Sequence, residues 1–326
     1  MSQMYSIIAS NPGDTSVLKK KDFEISSLKP NEVLVKNQSI GVNFIDIYFR
    51  EGLYPWPQEK DLVLGSEAAG EIEAVGSEVK HFQVGDRVAY AQPNNAYATH
   101  RIINENLIVS IPDNVSFDQA AASILKGLTV KYLVTDSFKL QAHHKVLFHA
   151  AAGGVGLIAG QWISQIGCHL IGTAGSDEKC TKAKVYGYDE MINYSNQNFL
   201  KEVQQLTQME GVDVVYDSVG QDTMFDSFKC LKKHGTVVSF GQSSGMYKNL
   251  QMTDLMTGSL HLTRPTLFHF YANREWLVDA SILLFEMISQ EKIKLNEISE
   301  YSLEDVGQAH LDIENRRTTG SVILKT

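Results

Sequence analysis

A glycine-rich loop near the middle of the chain has the residue types that can hold a phosphate group. Residues 147–158 read "LFHAAAGGVGLI", an apolar run that gives way to small residues and then resumes in a helical pattern. Gly153, Gly154 and Gly156 would let the backbone approach a pyrophosphate, while the N-terminus of the helix supplies free N–H groups. Because the pattern begins at Ala150 and not at a glycine, close packing of helix on strand is the alternative interpretation.

The next strand–helix junction bears on which dinucleotide the loop would bind. Enzymes that use NAD usually place Asp or Glu against the ribose hydroxyls about 20 residues after the glycine motif. Here the strand ends in "IGTAGS", where the uncharged Gly175 and Ser176 leave room for a 2′-phosphate. Lys179 would be its cationic partner, unless it is a solvated surface charge. Asp177 and Glu178 suit the first turn of a helix, so the pattern favours NADPH.

The segments that would position these residues alternate between strands and helices. From about residue 144, Val- and Ile-rich runs such as "KVLFHA", "HLIGTAG" and "GVDVVYDSVG" are separated by helical segments such as "GLIAGQWISQIG" and "DTMFDSFKCLKKHG". Short apolar strands joined by helices predict an α/β fold with a Rossmann doubly wound parallel sheet. Residues 1 to about 122 differ, because alternating runs such as "NEVLVKNQS" and "GEIEAVG" predict a β-rich domain.

A helix is expected to bridge the two regions. The stretch "SFDQAAASILKGLTVKYLV" opens with Ser116 and Gln119 at capping-box spacing and continues with apolar residues at helical intervals. Nearer the C-terminus, "NREWLVDASILLFEMISQEKI" predicts an amphipathic helix, and "TTGSVILKT" predicts a last strand that returns to the first domain. We therefore expect a discontinuous β-rich domain of residues 1–122 with 267–326, and a dinucleotide-binding domain of residues 123–266.

Composition argues against several classes of protein. A chain of 326 residues exceeds the roughly 250 to 300 residues at which one hydrophobic core stops growing, so two domains are expected. The net charge of −9 opposes unspecific binding to nucleic acid. The absence of any run of about 18 apolar residues argues against a membrane span. The N-terminal "MSQMYSIIASNPGDTS" predicts a strand and a turn and lacks the features of a secretory signal, so a cytoplasmic location is expected.

Metal binding is not expected either. Cys168, Cys180 and Cys230 are far apart in the sequence, which argues against a disulfide framework and against a cysteine-rich zinc lobe. His143 and His144 are adjacent, and neither belongs to a His-x-x-x-His pair. The cysteines are expected to be small buried side chains in a reducing compartment.

Eight stretches taken together resemble the zinc-free quinone oxidoreductases, relatives of zeta-crystallin within the medium-chain dehydrogenase/reductase superfamily. They are "GVNFIDIYFREGLYP", "GSEAAGEIEAVG", "VGDRV", "KGLTVKYL", "HAAAGGVG", "YDSVG", "VVSFGQSSG" and "TTGSVIL". Zinc-dependent members have a catalytic Cys in the "GVN" region and a Gly-His-Glu motif, whereas this chain has Asn43 and Gly65-Ser66-Glu67. The resemblance spans essentially the whole chain and implies that the β-rich domain is a GroES-like catalytic domain.

The resemblance implies hydride transfer from NADPH to a quinone, without zinc and in a homodimer. A quinone has less need of a Lewis acid than a simple carbonyl, because the charge spreads into an aromatic hydroquinone. An enone or alkenal is an alternative acceptor for a similar reason. An alternative of another class is a zeta-crystallin-like binding protein, for RNA or in a structural role, although the net charge of −9 argues against RNA.

The resemblance also assigns roles to individual positions. Asn43 and Tyr48 would orient the acceptor, and Tyr54 would line its pocket with them, although the two tyrosines could instead pack in a β-rich core. The residues expected to contact NADPH are Asn43, Asp46, Tyr48, Tyr132, Gly153, Gly154, Val155, Gly156, Gly175, Ser176, Lys179, Tyr194, Ser218, Phe240, Gly241, Gln242, Ser243, Arg264 and Arg316. For the two arginines a surface ion pair is the alternative.

Overall fold

The computed structural model describes residues 4–25, 27–56 and 61–326. The first three residues of the predicted N-terminal strand and turn therefore lie outside the described residues. The chain divides into two compact units, unit 1 (Met1–Leu128 with Tyr271–Thr326) and unit 2 (Thr129–Phe270). The divisions fall at residues 128 and 270, whereas we expected 122 and 266.

The strands and helices have the following bounds. The strands are β1 (Tyr5–Ala9), β2 (Lys19–Asp22), β3 (Glu32–Val42), β4 (Leu62–Val63), β5 (Glu67–Val75), β6 (Arg87–Ala91), β7 (His100–Asn104), β8 (Val109–Ser110), β9 (Lys145–Phe148), β10 (His169–Ala174), β11 (Glu190–Asn193), β12 (Val212–Asp217), β13 (Leu231–Ser239), β14 (His261–Thr263), β15 (Ile298–Ser302) and β16 (Ser321–Lys325). The α-helices are α1 (Phe44–Arg50), α2 (Phe117–Tyr132), α3 (Gly154–Ile166), α4 (Asp177–Val185), α5 (Phe199–Leu206), α6 (Met224–Cys230), α7 (Met252–Met256), α8 (Leu267–Tyr271), α9 (Arg274–Ser289) and α10 (Val306–Glu314).

The bridging helix α2 begins in unit 1. Its predicted capping box is confirmed, because the Gln119 N–H donates to Ser116 Oγ at 3.1 Å and the Ser116 N–H donates to Gln119 Oε1 at 2.9 Å. The hydroxyl of Ser321 in β16 donates to the carbonyl oxygen of Ala122 at 2.8 Å. These early turns of α2 pack on unit 1, which moves the division of the chain beyond residue 122.

Unit 1 is built around a mixed sheet in which the strands follow the order β15-β16-β3-β5-β6-β8, with β7 paired to β3. β16 pairs antiparallel with β3 and places Val322 opposite Val42, so the last strand of the chain belongs to this sheet. Val33, Ile72 and Val88 contribute to one buried core. A three-stranded sheet, β2-β1-β4, completes the β-rich unit.

Unit 2 contains a parallel sheet of order β11-β10-β9-β12-β13-β14. Numbered along the chain from β9, this is the order 3-2-1-4-5-6 of the Rossmann fold, so the predicted doubly wound sheet is confirmed. Leu147, Ile171 and Val215 are fully buried, as expected for strands covered on both faces. Ligands of such sheets bind beyond the carboxyl ends of the strands.

One predicted helix is shorter than its pattern suggested. We expected "DTMFDSFKCLKKHG" to be helical, but α6 ends at Cys230 and β13 begins at Leu231. Leu231 pairs with Val212 of β12, and the register then shifts before Val214 pairs with Thr236. Pairing with a neighbouring strand outweighs the weak local preference of these residues for a helix.

The amphipathic helix predicted near the C-terminus is α9. The side chain of Asn273 caps it by accepting the Glu275 N–H at 3.0 Å. Leu277 and Leu284, seven residues apart and therefore on one face, are both fully buried. Over the ranges that the structure describes, no helix combines the length and the apolar character needed to cross a membrane.

Candidate active site

The residues predicted to orient the acceptor lie on and around the short helix α1. Asn43 directly precedes the helix and Asp46 lies in its first turn. The buried ring of Tyr48 meets the ring of Tyr54 edge to face, with 5.6 Å between centroids. Tyr54 also packs edge to face on Phe49, at 5.3 Å. The turn therefore brings polar groups and aromatic rings together, while their contact with a cofactor stays a prediction.

The carboxyl group of Asp46 is fully buried and hydrogen bonded at both oxygens. Ser66 Oγ donates to Oδ1 at 2.6 Å, and the Asn43 N–H and the Tyr97 hydroxyl donate to Oδ2 at 2.9 and 3.0 Å. Burial raises the pKa of Asp46 from 3.8 to about 7, with a smaller contribution from the charge of Glu67, although the three hydrogen bonds oppose the rise. Asp46 can therefore change charge near neutral pH, in the turn that carries Asn43.

A chain of hydrogen bonds leads from Asp46 to Arg50. Tyr97 Oη lies 2.9 Å from His310 Nε2, and Arg50 Nη1 lies 3.3 Å from His310 Nδ1. Burial, together with the charge of Arg50, lowers the pKa of His310 to about 3, so the imidazole is neutral. Because a guanidinium can only donate, Nδ1 is the acceptor and Nε2 carries the hydrogen that it donates to Tyr97. Each hydrogen bond of the chain is therefore donated in the direction of Asp46.

Asp46→Asn is expected to change how stability depends on pH. The folded protein keeps the Asp46 proton up to about pH 7, whereas the ordinary pKa, which applies to the unfolded chain, is 3.8. The stabilisation from this proton is complete below the unfolded pKa and is lost as the pH rises to about 7, a change of about 4 kcal/mol. The variant lacks this loss. Urea unfolding of both proteins at about pH 4, 6 and 8 should show the wild type losing stability relative to the variant as the pH rises. An equal dependence of the free energy of unfolding on pH in the two proteins would contradict the raised pKa of Asp46.

An ion pair that the sequence analysis missed lies beside Asn43. Lys126 Nζ is 2.5 Å from Glu67 Oε1, and Asn43 Nδ2 donates to the same oxygen at 2.8 Å. The Leu125 N–H donates to Glu67 Oε2 at 2.7 Å. The signal in the sequence was a charged residue within the small and apolar stretches "GSEAAGE" and "ILKGLTV". Their separation of 59 positions concealed the pairing.

The donors at this position do not fit a zinc ion. Asn43 turns its amide N–H toward Glu67, and the Ser66 hydroxyl donates to Asp46. The Lys126 ammonium already lies on the Glu67 carboxylate. Zinc prefers thiolate, imidazole and carboxylate ligands, and a neighbouring ammonium would repel it. Within the described part of the chain, no three His, Cys, Asp or Glu side chains come together as metal ligands.

The glycine loop of unit 2 leads from β9 into α3. Gly153 directly precedes the helix and has no side chain to cap it. The N–H groups of Gly154, Val155 and Gly156 in the first turn therefore have no acceptor within the helix. A Cβ atom at Gly156 would lie 2.4 Å from Ala150 O, so glycine lets α3 start close to the loop. Ala150 adopts a φ of 56°, the left-handed conformation that usually selects glycine. This geometry fits a pyrophosphate at the helix N-terminus.

Buried polar side chains join the strand ends beneath this loop. His149, directly after β9, places Nδ1 2.9 Å from Thr173 Oγ1 and Nε2 3.0 Å from Ser227 Oγ. Ser227 Oγ donates to Asp217 Oδ2 at 3.1 Å, and Asp217 Oδ1 accepts the Gly220 N–H at 2.9 Å. The network connects β9, β10 and β12. The sequence analysis missed it because the partners of His149 lie 24 and 78 positions away.

The acidic residue Asp177, at the junction between β10 and α4, is hydrogen bonded within unit 2. Ser176 precedes α4, and its Oγ accepts the Lys179 N–H at 3.2 Å. Asp177 Oδ1 accepts a hydrogen bond from Asn193 Nδ2 at 2.7 Å. A carboxylate at this junction could repel the 2′-phosphate of NADPH. The carboxylate of Asp177 is instead hydrogen bonded to the amide of Asn193, the last residue of β11.

The other predicted NADPH contacts of unit 2 follow its strands at their carboxyl ends. Tyr194 follows β11, Ser218 follows β12, Phe240, Gly241, Gln242 and Ser243 follow β13, and Arg264 follows β14. Arg264 Nη1 donates to Gly241 O at 3.1 Å. A Cβ atom at Gly175 would lie 2.8 Å from Tyr194 Oη, so these two residues are also neighbours. The sheet brings these positions to one edge.

Two predicted contacts lie at the ends of helices and not at the ends of strands of the parallel sheet. The ring of Tyr132, at the end of α2, stacks on Phe270 with 4.9 Å between centroids. Arg316 follows α10 in unit 1 and has a φ of 58°. Neither position follows a strand of the parallel sheet.

Known proteins match the chain over nearly its whole length. Residues 29–137 match the family described as "Alcohol dehydrogenase GroES-like domain", and residues 154–280 match "Zinc-binding dehydrogenase". A quinone oxidoreductase of Pseudomonas aeruginosa is 45 % identical over 314 residues, 96 % of each chain. The crystal structure of the Escherichia coli quinone oxidoreductase complexed with NADPH superimposes with a TM-score of 0.96 at 42 % identity, over 99 % of this chain and 100 % of that one. A 2-haloacrylate reductase of Burkholderia sp. is 35 % identical over 312 residues, 93 % of each chain.

These matches agree with the fold and with the motifs quoted above. The GroES-like match covers the N-terminal segment of unit 1 from residue 29 and ends nine residues after Leu128, and the second match begins at Gly154, where α3 starts. The resemblance identified from the sequence is therefore confirmed. The chain belongs to the quinone oxidoreductase family of the medium-chain dehydrogenase/reductase superfamily.

Proposed function

We propose that the chain is an NADPH-dependent quinone oxidoreductase that works without zinc. The observation that carries the proposal is the edge of unit 2 where the uncapped first turn of α3 and the uncharged Gly175–Ser176 junction occur on neighbouring strands. The relative named as a quinone oxidoreductase supports a quinone as the acceptor, and the quinone oxidoreductase crystallised with NADPH supports NADPH as the cofactor. When bound, NADPH would supply a hydride to the acceptor.

The NADPH phosphates would be held by groups of unit 2. The N–H groups of Gly154, Val155 and Gly156 would bind the pyrophosphate. Ser176 and Lys179 would bind the 2′-phosphate, with the lysine as its cationic partner. The other proposed contacts are Asn43, Asp46, Tyr48, Tyr132, Gly153, Gly175, Tyr194, Ser218, Phe240, Gly241, Gln242, Ser243, Arg264 and Arg316.

The acceptor would be oriented by residues of unit 1. The ring of Tyr54, packed edge to face on the buried ring of Tyr48, would offer an aromatic surface against which a quinone can pack. Asn43 would orient the acceptor from the start of α1. We therefore assign unit 1 as the catalytic domain and unit 2 as the NADPH-binding domain.

Lys179→Ala is expected to weaken NADPH binding by about 10- to 100-fold and to leave NADH binding nearly unchanged. The lost interaction is a charge-assisted contact with the 2′-phosphate, which is worth about 1.5 to 3 kcal/mol. Titration calorimetry with both dinucleotides measures the two affinities. Lys184→Ala, in the same helix but exposed and 3.9 Å from Glu190, is the control. Equal losses of affinity for NADPH and NADH would show that Lys179 does not bind the 2′-phosphate.

Steady-state rates with NADPH and a panel of acceptors test the function itself. We expect 1,2- and 1,4-quinones to give higher kcat/KM than enones. The second candidate is an enone or activated-alkene reductase, which the relative named 2-haloacrylate reductase favours, because a polarised alkene also accepts hydride. Reduction of enones or 2-haloacrylate, with no reduction of quinones, would establish the second candidate and exclude the first.

We propose a homodimer that forms along β14. This strand stands at the end of the sheet order and pairs with β13 on its inner side. An open edge strand can pair with a second copy. The segment before it exposes Met252 and Met256, at 80 % and 76 %. Light scattering after size exclusion should give twice the chain mass of 36.3 kDa, and a monomer at every concentration would refute the dimer.

We also propose a cytoplasmic location. Cys168, Cys180 and Cys230 are all free thiols, and free cysteines are typical of reducing compartments. Cell fractionation followed by immunoblotting tests the location. Recovery of the protein from outside the cytoplasm would overturn it.

A further inference from the structure

A lysine with unused hydrogen-bonding capacity is buried beside Asn43. The side chain of Lys126 is 5 % exposed, and its Nζ lies 2.5 Å from Glu67 Oε1. An ammonium can donate three hydrogen bonds, and Glu67 is the one acceptor that it reaches among the residues the structure describes. Two N–H bonds of a nearly buried cation are thus open to a bound molecule or to water.

The position of this ammonium is fixed by the surroundings of Glu67. One carboxylate oxygen accepts the side-chain amide of Asn43 at 2.8 Å, and the other accepts the Leu125 N–H at 2.7 Å. A Cβ atom at Gly41 would lie 2.2 Å from Glu67 Oε1, so a glycine is needed there to admit the carboxylate. The carboxylate in turn places Lys126 Nζ next to the Asn43 amide.

Stability alone is a poor explanation for this ion pair. Burying two charges costs more free energy than their attraction returns, unless further hydrogen bonds satisfy both groups. The carboxylate of Glu67 meets that condition with three donors, whereas the ammonium of Lys126 does not. A well-packed apolar pair would stabilise the fold at least as well. The spare N–H bonds therefore point to a role in chemistry.

We propose that Lys126 is a catalytic residue that donates a hydrogen bond, and then a proton, to the acceptor oxygen that becomes negative during reduction. The inference rests on the proposed function, because it takes the quinone to lie beside Asn43. A buried ammonium stabilises a developing oxyanion much more strongly than water would, since little solvent screens the charge. Lys126 would thus supply positive charge where zinc-dependent members of the superfamily use a metal ion.

The proton of Lys126 completes the reduction. Hydride addition gives the quinone two electrons and one hydrogen and leaves a hydroquinone monoanion. An N–H bond of Lys126 then breaks as the O–H bond of the hydroquinone forms, and a neutral amine remains. The amine takes a proton from solvent, which restores the ammonium. Each turnover therefore consumes one hydride and one solvent proton.

A series of substituted 1,4-benzoquinones, whose hydroquinone anions differ in basicity, tests the role. With saturating NADPH, Lys126→Met should lower kcat/KM by about 100-fold or more for the quinones that give the most basic anions. The loss should shrink to about threefold for electron-poor quinones, whose anions need little stabilisation. NADPH affinity, measured by fluorescence titration, should stay within about twofold of wild type, because Lys126 is not part of the glycine loop proposed to bind the dinucleotide.

Two further variants separate this role from a structural one. Lys126→Met leaves the Glu67 carboxylate buried without its cation, which could prevent folding. The double variant Glu67→Gln with Lys126→Met removes both charges and should fold. Its loss of kcat/KM should depend on the basicity of the hydroquinone anion in the same way. Lys325→Met removes an exposed lysine paired with Asp118 and should leave the series unchanged. A loss of equal size for every quinone, or no loss, overturns the inference while the proposed function stands. A wild-type protein that reduces no quinone overturns both.

Discussion

Gly156→Val is expected to weaken NADPH binding by at least about 100-fold. A Cβ atom at this position would lie 2.4 Å from Ala150 O and 2.5 Å from Ala151 O. Both oxygens belong to the backbone of the glycine loop, so they cannot swing aside as a flexible side chain would. The N-terminus of α3 would have to move away and would carry its free N–H groups with it. Such overpacking costs about 1 to 3 kcal/mol, and the displaced phosphate site adds to that loss.

Gly153→Ala is the matched control for this prediction. Its Cβ atom would lie 3.3 Å from Ala150 O, a close contact that a small local shift relieves. We expect NADPH affinity within about fivefold of wild type for this variant. Titration calorimetry measures both affinities, and far-UV circular dichroism shows whether each variant folds. Equal affinity in a folded Gly156→Val protein would refute the argument from close approach.

Local patterns in the sequence were sufficient to predict most of the fold. The alternation of buried strands with helices predicted the parallel sheet from β9 onward, and the spacing of Ser116 and Gln119 predicted the start of α2. These signals lie within single elements, so one sequence contains them. The start of β13 at Leu231 was missed because pairing with Val212 of another strand decides it. The local pattern of apolar residues does not show which distant segments will pair as strands.

The sequence predicted those parts of the candidate site whose residues are close together along the chain. The glycine loop and the uncharged Gly175–Ser176 junction are short motifs, and their chemistry follows from residue type. The pairing of Asp46 with Tyr97 spans 51 positions, and that of Tyr97 with His310 spans 213. Such contacts depend on strand register and on which face of α10 is buried. Residue types alone therefore could not indicate the hydrogen-bond chain.

Unit 1 accommodates the fully buried carboxyl groups of Asp46 and Glu67 in different ways. Asp46 meets hydroxyl and amide donors, and burial raises its pKa to about 7, so a proton can neutralise it. Glu67 meets the ammonium of Lys126, which offsets its charge directly. Asn43 touches both groups, through its backbone N–H and its side-chain amide. A change at either carboxyl group should therefore affect the orientation of Asn43.

Arg50→Met is expected to lower the free energy of unfolding by about 3 to 5 kcal/mol. The side chain of Arg50 is 2 % exposed, and its guanidinium binds Glu314 with two hydrogen bonds of 2.7 and 2.9 Å. Its Nε donates to Gly13 O at 3.0 Å, and Nη2 donates to Glu51 at 2.9 Å. Methionine would fill part of the volume but would leave these acceptors, and Nδ1 of His310, without a donor.

Arg317→Met is the matched control, because Arg317 is 65 % exposed and pairs with Asp312 at 3.3 Å. Exposed ion pairs contribute little, so its removal should cost no more than about 0.5 kcal/mol. Urea unfolding of both variants at neutral pH measures the contrast. A loss below about 1 kcal/mol for Arg50→Met would mean that water satisfies Glu314 and Glu51. Arg50 would then not be the group that anchors the hydrogen-bond chain leading through His310 and Tyr97 to Asp46.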